Sequence, residues 1–253
     1  MLACVAMARR AMRAARPSED ERAHDMNNRT AYFALASDHP ELFANPPGPS
    51  IEILLNDDEI RQAEATVADR LAERGQPTEW AQVGIAYQDQ YLLILRDAVR
   101  FPDGSLGTYI RAVSANTGTP GVVILPVCKG NVVLVRHFRH GSRAWHWEIP
   151  RGFGEVGFTA EDNARRELEE EVGAAGTRLT PMGPVNLDTD ASGSPDELFY
   201  AEIESYGRPD VAEGIAELRA VPLAEFQRMI AEGDISEGYT LAAYARAKAR
   251  ELM

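Results

Sequence analysis

RGFGEVGFTAEDNARRELEEEVG, residues 151–173, is the stretch that decides how this chain is read. Thr159 is a hydroxyl residue suited to cap a helix N-terminus, with Asp162 three positions on, and Gly173 suits the residue just past the helix end. Between them Ala160, Ala164, Leu168 and Val172 recur every four residues and predict a core-facing stripe. Glu167, Glu170 and Glu171 stand at i, i+3 and i+4, so they gather on a neighbouring face. Like charges at that spacing repel by several tenths of a kcal/mol per pair in water, and Arg166 offsets only part of it. A solvated acidic helix is one reading of such a face, since charge-laced helices are common. A hard divalent cation, Mg²⁺ or Mn²⁺, is the other. It takes carboxylate, water and phosphate oxygens, and it gives the repulsion a purpose.

Outward from this helix the chain alternates between extended and helical periods. Residues 17–50 read as irregular, charged first and then turn-rich at NPPGPS, 45–50. Asn56 with Glu59 marks a helix start, Ile60, Ala63, Val67 and Leu71 line one face, and Gly75 stops it. From about Trp80 the period becomes extended. AQVGIAYQ (81–88), YLLILRDAVRF (91–101), GTYIRAV (107–113), GVVILPV (121–127), NVVLVRHF (131–138) and WHWEIP (145–150) predict a meandering, mostly antiparallel sheet. After the acidic helix come a loop, strands at 197–203 and near 213–221, and helices beginning near Leu223 and Thr240. Strands on one side of an interior helix, with further helices at the end, predict a mixed α/β (α+β) sandwich.

Composition narrows the function classes. The 253 residues are 45% hydrophobic and 26% charged, the balance of a folded globular protein rather than a low-complexity one. Lys+Arg number 26 against 39 Asp+Glu, a net charge of −13, which argues against a nucleic-acid binder working through bulk electrostatics. Cys4 and Cys128 are too far apart for a disulfide framework or a metal knuckle, and Cys128 reads as a small buried hydrophobe. No two of the five histidines show the i, i+4 spacing of a helical zinc pair. The longest apolar run, residues 121–127, is far short of the ~20 residues of a membrane span. The first sixteen residues carry Arg9, Arg10, Arg13 and Arg16 and no acid, with the apolar part ahead of the charges, the reverse of a secretory signal. A cytoplasmic protein with an Ala/Arg-biased leader is expected, with a mitochondrial transit peptide or a start at Met7, Met12 or Met26 as alternatives.

The fixed positions from Gly152 through thirteen residues to RELEEEVGA, 166–174, resemble the Nudix box, a glycine loop followed by a helix ending in REUxEExGU. Two positions depart from it. Phe158 stands where the box carries a glutamate, and Ala174 is small for the last aliphatic site. In the family that glutamate mainly pairs with the box arginine, so Arg166 needs another partner, Glu155, Glu169 or Glu170. The resemblance extends over residues 81–252 and is to the ADP-ribose pyrophosphatase-like subgroup. It runs through RDAVRFPDGSLGTYIRAV (96–113), VVLVRHFRH (132–140), WHWEIPRG (145–152), DASGSPDELFYAEI (190–203) and LAEFQRMIAEGDISEGYTLAAY (223–244). It implies a Nudix-type α/β/α sandwich with a mixed sheet over 81–253, behind a leader expected to be disordered at 1–26 and an extension with one amphipathic helix at 27–80. It also implies a homodimer, because the hairpin at 96–113 resembles one that often exchanges between subunits.

The same resemblance implies site residues. Metal would be held by Glu167, Glu170, Glu171 and the carbonyl of Arg151, with Mg²⁺ expected and Mn²⁺ as a substitute. Arg139 and Arg111 would contact the substrate, and their planar guanidinium forks suit phosphate oxygens; an ordinary strand-edge arginine is the plainer reading. Glu197, in a Gly/Ser/Pro loop able to close over a site, would be the general base, against the plain reading of an exposed loop acid. Trp145 and Trp147 alternate along a strand and read as core rather than a stacking platform, with Glu148 on the opposite face. Three functions stay open: a Mg²⁺-dependent hydrolase of ADP-ribose giving AMP and ribose 5-phosphate, a hydrolase of another nucleotide-sugar or dinucleotide, or a non-catalytic module that binds such a metabolite. The expected partner is a small nucleoside diphosphate, with no nucleic acid and no membrane. Taking the leader's four positive charges from −13 leaves −17 on the remainder, so cations and placed arginines have to mediate any polyanionic substrate.

Overall fold

The segment expected to be irregular, 17–50, instead carries helix α1 (Glu19–Asp38) and a short 3₁₀ turn at Pro40–Phe43. The computed structural model describes residues 19–209 and 211–253, and side chains from residue 28 onward, so the predicted leader falls largely outside it. No cap or apolar stripe in the sequence announces α1. Tertiary packing overrides that weak local propensity: Tyr32 is wholly buried, its ring edge-on to Phe43 at 5.2 Å.

Strand β1 (Glu52–Leu54) precedes helix α2 (Asp57–Glu73), which starts where expected. The Asn56 side chain accepts from the backbone N–H of Asp58 and Glu59 at 2.9 and 3.3 Å, and Gly75 leaves the helix at a φ of 66°. Ile60 and Ala63 are buried, while Val67 and Leu71 are half-buried. Strands β2 (Gly84–Gln88) and β3 (Leu92–Arg100) follow, then β4 (Leu106–Ser114). β1 and β2 pair antiparallel with β3, and β4 also pairs with β3. The expected single meander is therefore two sheets. The described residues up to Gln88 form one compact unit with Leu93–Arg111; Asp89–Leu92 and Ala112–Met253 form the other. Most of the hairpin read as part of the 81–253 domain thus belongs with the N-terminal region, where Asp97 accepts a hydrogen bond from Tyr32.

The second unit is built on strands β5 (Val122–Cys128), β6 (Asn131–Arg139), β7 (Ala144–Glu148) and β8 (Arg151–Gly152), helix α3 (Ala160–Val172), strands β9 (Arg178–Val185), β10 (Asp196–Ile203) and β11 (Ile215–Pro222), and helices α4 (Leu223–Glu232) and α5 (Gly238–Ala249). Its sheet runs β11-β6-β5-β10-β9, with β7 on β6 and β8 on β5. β5 and β10 are parallel, which makes the sheet mixed rather than a meander. β9 lies where a loop was expected. Pro181, Gly183 and Pro184 hide it in the sequence, and its place at the sheet edge is where proline is tolerated.

Successive side chains of a strand point to opposite faces, and here each face has its own helices. Val122, Ile124, Phe199 and Ala201 pack with Ala164, Leu168 and Val172 of α3. Val123, Leu125, Leu198 and Tyr200 pack with Phe226 and Met229 of α4 and Ala243 and Ala247 of α5. The result is an α/β/α sandwich. Cys128 is buried within the α3-side cluster. Among the described residues no helix is long and apolar enough to cross a membrane.

Candidate active site

Helix α3 has the predicted bounds. Thr159 accepts from the Asp162 backbone N–H at 3.1 Å while Asp162 accepts from the Thr159 N–H at 3.2 Å, and Gly173 ends the helix at a φ of 64°. Its Ala164, Leu168 and Val172 stripe is anchored in the core, which fixes where the glutamates point.

Glu171 is the decisive residue. It is only 6% exposed, so the reading of a wholly solvated acidic face fails for it. Burial first, and Glu167 next, push its carboxyl pKa up to about 8, while Arg139 and the donating backbone N–H of Arg151 work the other way. Glu167 is pushed up to about 7, again by burial first and then by Glu170. A Cβ built on Gly152 would overlap the Glu167 carboxylate, so the box glycine is the space in which that carboxylate lies. Gly154 is needed for a similar reason: a side chain there would strike the carbonyls of Thr119 and Pro120.

The loop and helix thus bring Glu167, Glu171 and the Arg151 backbone together. Glu170 is exposed and turns toward Arg166, 3.5 Å away. Among the described residues no three His, Cys, Asp or Glu side chains converge as a ready metal-binding group. The donor chemistry nonetheless fits a hard divalent cation. It is all oxygen, two adjacent carboxylates carry raised pKa values, and the Glu171 Oε2 is buried without a hydrogen-bond partner.

The loss of the box glutamate at 158 has a local answer. Arg166 donates through Nη1 and Nη2 to the two carboxylate oxygens of Glu155, at 2.5 and 3.0 Å, and its guanidinium lies 4.9 Å from the Phe158 ring centre. Of the three partners considered for Arg166, Glu155 is the principal one and Glu170 the lesser. These contacts raise the Arg166 pKa, the Glu155 hydrogen bond most.

Arg139 ends β6 and donates from Nε to Glu148 Oε1 at 2.7 Å. Glu148 is wholly inaccessible, and burial raises its pKa against the opposing pull of Arg139. Glu148 shares the α3 side of the sheet, as its pairing with Val135 requires. His137 Nδ1 is 3.5 Å from the same oxygen, and burial, then Arg139 and Arg151, push that imidazole down to about 4.

Glu197 is the second residue of β10, not a loop residue. Its N–H donates to the Gly121 carbonyl at 2.8 Å, and it sits opposite Val122, which in turn pairs with Gly152. Phe199 two residues on faces α3, so Glu197 projects to the side on which Glu167 fills the space over Gly152. Arg111 is placed differently. In the N-terminal unit its Nε donates to Asp97 Oδ2 at 2.6 Å, with the Phe43 ring 5.2 Å away. Trp147 packs against the core as expected, whereas Trp145 is 48% exposed, with Phe138 edge-on at 5.4 Å and Arg136 over its ring.

Several supporting residues left no sequence signal, because their partners are distant in the chain. Asn116 donates to the Gly154 carbonyl at 2.9 Å and pins the glycine loop. The Arg151 guanidinium lies 4.9 Å from the Tyr239 ring, and the Tyr239 hydroxyl donates to Asp196. Thr240 Oγ1 accepts from the Ile149 N–H at 3.1 Å, which ties α5 to the strand leading into the site.

Known proteins share this arrangement of elements. Residues 118–243 match the NUDIX domain. The chain is 32% identical over 154 residues to the ADP-ribose pyrophosphatase of Mycobacterium tuberculosis (strain ATCC 25618 / H37Rv), covering 58% of this chain and 72% of that one. It is 24% identical over 130 residues to the ADP compounds hydrolase NudE of Escherichia coli (strain K12), covering 50% of this chain and 69% of that one. In three dimensions it is similar to a crystal structure of an ADP compounds hydrolase, with a TM-score of 0.55 and 19% identity over 66% of this chain and 90% of that one. At that identity the likeness is one of fold.

Proposed function

This chain belongs to the NUDIX domain family, and from that premise we propose that it is a Mg²⁺-dependent pyrophosphohydrolase that splits ADP-ribose into AMP and ribose 5-phosphate. The observation that carries the reading is the buried Glu171 beside Glu167, held against the Arg151 backbone. Glu167 and Glu171, with Glu170 and the Arg151 carbonyl, are the groups that would hold the cation. When bound, Mg²⁺ neutralises diphosphate charge and lowers the pKa of a bound water. Arg139, oriented by Glu148, offers its remaining N–H groups to phosphate oxygens. Glu197, on the α3 side of the sheet, is the carboxylate assigned to take the water's proton, a contribution of about 10²- to 10⁴-fold where a general base is positioned. Water adds to one phosphorus, the bridging P–O bond breaks, and the leaving phosphate takes the displaced oxygen.

A second substrate reading, another ADP-linked compound, is favoured by the likeness to NudE. One experiment separates the two. Purified protein with Mg²⁺ is offered ADP-ribose, other nucleotide-sugars and dinucleotide polyphosphates, and products are resolved by chromatography. The highest kcat/KM on ADP-ribose, with AMP released, supports the proposal. A higher value on another ADP compound moves the assignment there, and binding without any hydrolysis makes the chain a metabolite-binding module.

A further inference from the structure

A β-turn rebuilds the support of the box arginine from two residues instead of one. Phe158 N–H donates to the Glu155 carbonyl at 3.3 Å, closing the four residues 155–158, and Gly157 supplies the positive φ, 92°, at the third position. A turn of this kind brings its first and fourth residues within about 7 Å. Glu155 and Phe158 therefore reach the same guanidinium from different directions. Glu155 accepts from both terminal nitrogens, and the Phe158 ring centre lies 4.9 Å from the central carbon. Glu170 sits 3.5 Å from Nη2. Arg166 thus has its fork occupied and a ring beside it, and neither contact needs a carboxylate at position 158.

We propose that Glu155 and Phe158 together are the positioning partners of Arg166, standing in for the box glutamate, so that a carboxylate at 158 helps this chain only when Glu155 is removed. The inference rests on the reading of α3 as the cation-holding helix, because Arg166 is the residue that restrains Glu170 on that helix. A chain that had simply lost a catalytic support would gain from regaining it at 158. A chain that has moved the support to 155 would place a second carboxylate against an arginine already taken, close to Glu167 and Glu170.

The test is a cycle of four proteins: wild type, Glu155→Gln, Phe158→Glu and the double variant. Three quantities are read in each. They are the unfolding midpoint with chelator, the Mn²⁺ dissociation constant from the signal of the free ion, and kcat/KM on ADP-ribose with Mg²⁺. Glu155→Gln is expected to lower Mn²⁺ affinity and kcat/KM about tenfold, the usual cost of losing an outer partner of a metal site, and to lower the metal-free midpoint by about 1–2 °C. Phe158→Glu alone is expected to give no gain in any of the three. In the Glu155→Gln background the same change is expected to restore affinity and kcat/KM to within about threefold of wild type, that is, to recover most of that tenfold. Equal effects of Phe158→Glu in both backgrounds overturn the proposal, as does a Glu155→Gln protein with unchanged affinity and midpoint. If the four proteins show the expected order in Mn²⁺ affinity or midpoint yet hydrolyse nothing, the clamp stands and the hydrolase reading falls.

Discussion

Two buried carboxylate sites in this molecule differ in how their charge is met. In the N-terminal unit Asp97, 2% exposed, accepts from the Tyr32 hydroxyl at 2.6 Å and from Arg111 at 2.6 and 3.3 Å. Both oxygens are used and a guanidinium balances the charge. In the second unit Glu171 is also buried, at 6% exposed, but its neighbours include another acid, Glu167, and its Oε2 has no hydrogen-bond partner. The first arrangement is complete as it stands and reads as architecture. The second is incomplete: only the Arg151 N–H and the Arg139 charge offset it, and a buried carboxylate left partly uncompensated beside another acid is characteristic of a functional site. The contrast also changes the standing of Arg111. As a strand arginine it resembles a substrate contact, yet its fork is already engaged by Asp97.

The largest expected effect is on the incomplete site. Glu171→Gln should lower kcat/KM by about 10³-fold, a loss of several kcal/mol of transition-state stabilisation. Above about pH 8, where Glu171 carries its charge, the metal-free stability should not fall, since a buried charge has been removed; steady-state kinetics with denaturant unfolding would show both. The reverse pattern is expected of Asp97→Asn. Breaking a satisfied buried pair should cost about 3–5 kcal/mol, read from denaturant midpoints. If Asp97→Asn leaves stability intact, the architectural half of the comparison fails.

The pH dependence separates the sites further. Glu167 and Glu171 have folded pKa values of about 7 and about 8, above the ordinary 4.5. The folded chain therefore holds protons that the unfolded chain releases, and the stability these groups confer is full below about pH 4.5 and lost as pH rises through 7 to 8. His137 has the opposite sign. Its pKa falls from 6.5 to about 4, so its contribution is lost as pH drops through that window. Metal-free unfolding midpoints should therefore decline as pH rises from about 6.5 to about 8, where the acid pair acts unopposed by His137. A midpoint that rises across that interval would contradict the assignment of burial to this pair. The smallest effect is expected from Tyr32→Phe, which removes one hydrogen bond to Asp97 and leaves Arg111 in place. It should lower stability by about 1–2 kcal/mol with kcat unchanged, as calorimetry and kinetics on the same sample would reveal.

The incomplete site was far more legible in the sequence than the complete one, and the reason is range. Every signal that located α3 is local: the Thr159 cap, the four-residue stripe, the glutamates one turn apart and Gly173 at the end. Glu155 was open to anticipation because its partner Arg166 lies only eleven residues away. The Tyr32–Asp97–Arg111 group joins a helix with no cap signal to two strands, and Tyr32 is 65 residues from its partner, so no periodicity encodes it. The same holds for Asn116 with Gly154 and for Tyr239 with Asp196. β9 escaped for a different reason. Its prolines argue against a strand in general, and only its place at the sheet edge makes them acceptable. Glu197 lies in a strand rather than the expected loop, because a Gly/Ser/Pro approach reads as loop until the register with Val122 is known.

The central claim is that Glu167 and Glu171 form a cation site whose charge the protein only partly offsets. It is tested most directly by measuring the unfolding midpoint at about pH 8, where Glu167 is largely ionised and Glu171 about half, with and without Mg²⁺, in wild type and in Glu171→Gln. Ligand that binds only the folded state raises the midpoint. A clear Mg²⁺-dependent rise in the wild type, absent or much reduced in Glu171→Gln, is the result predicted. An equal rise in both proteins, or none in the wild type, would contradict it.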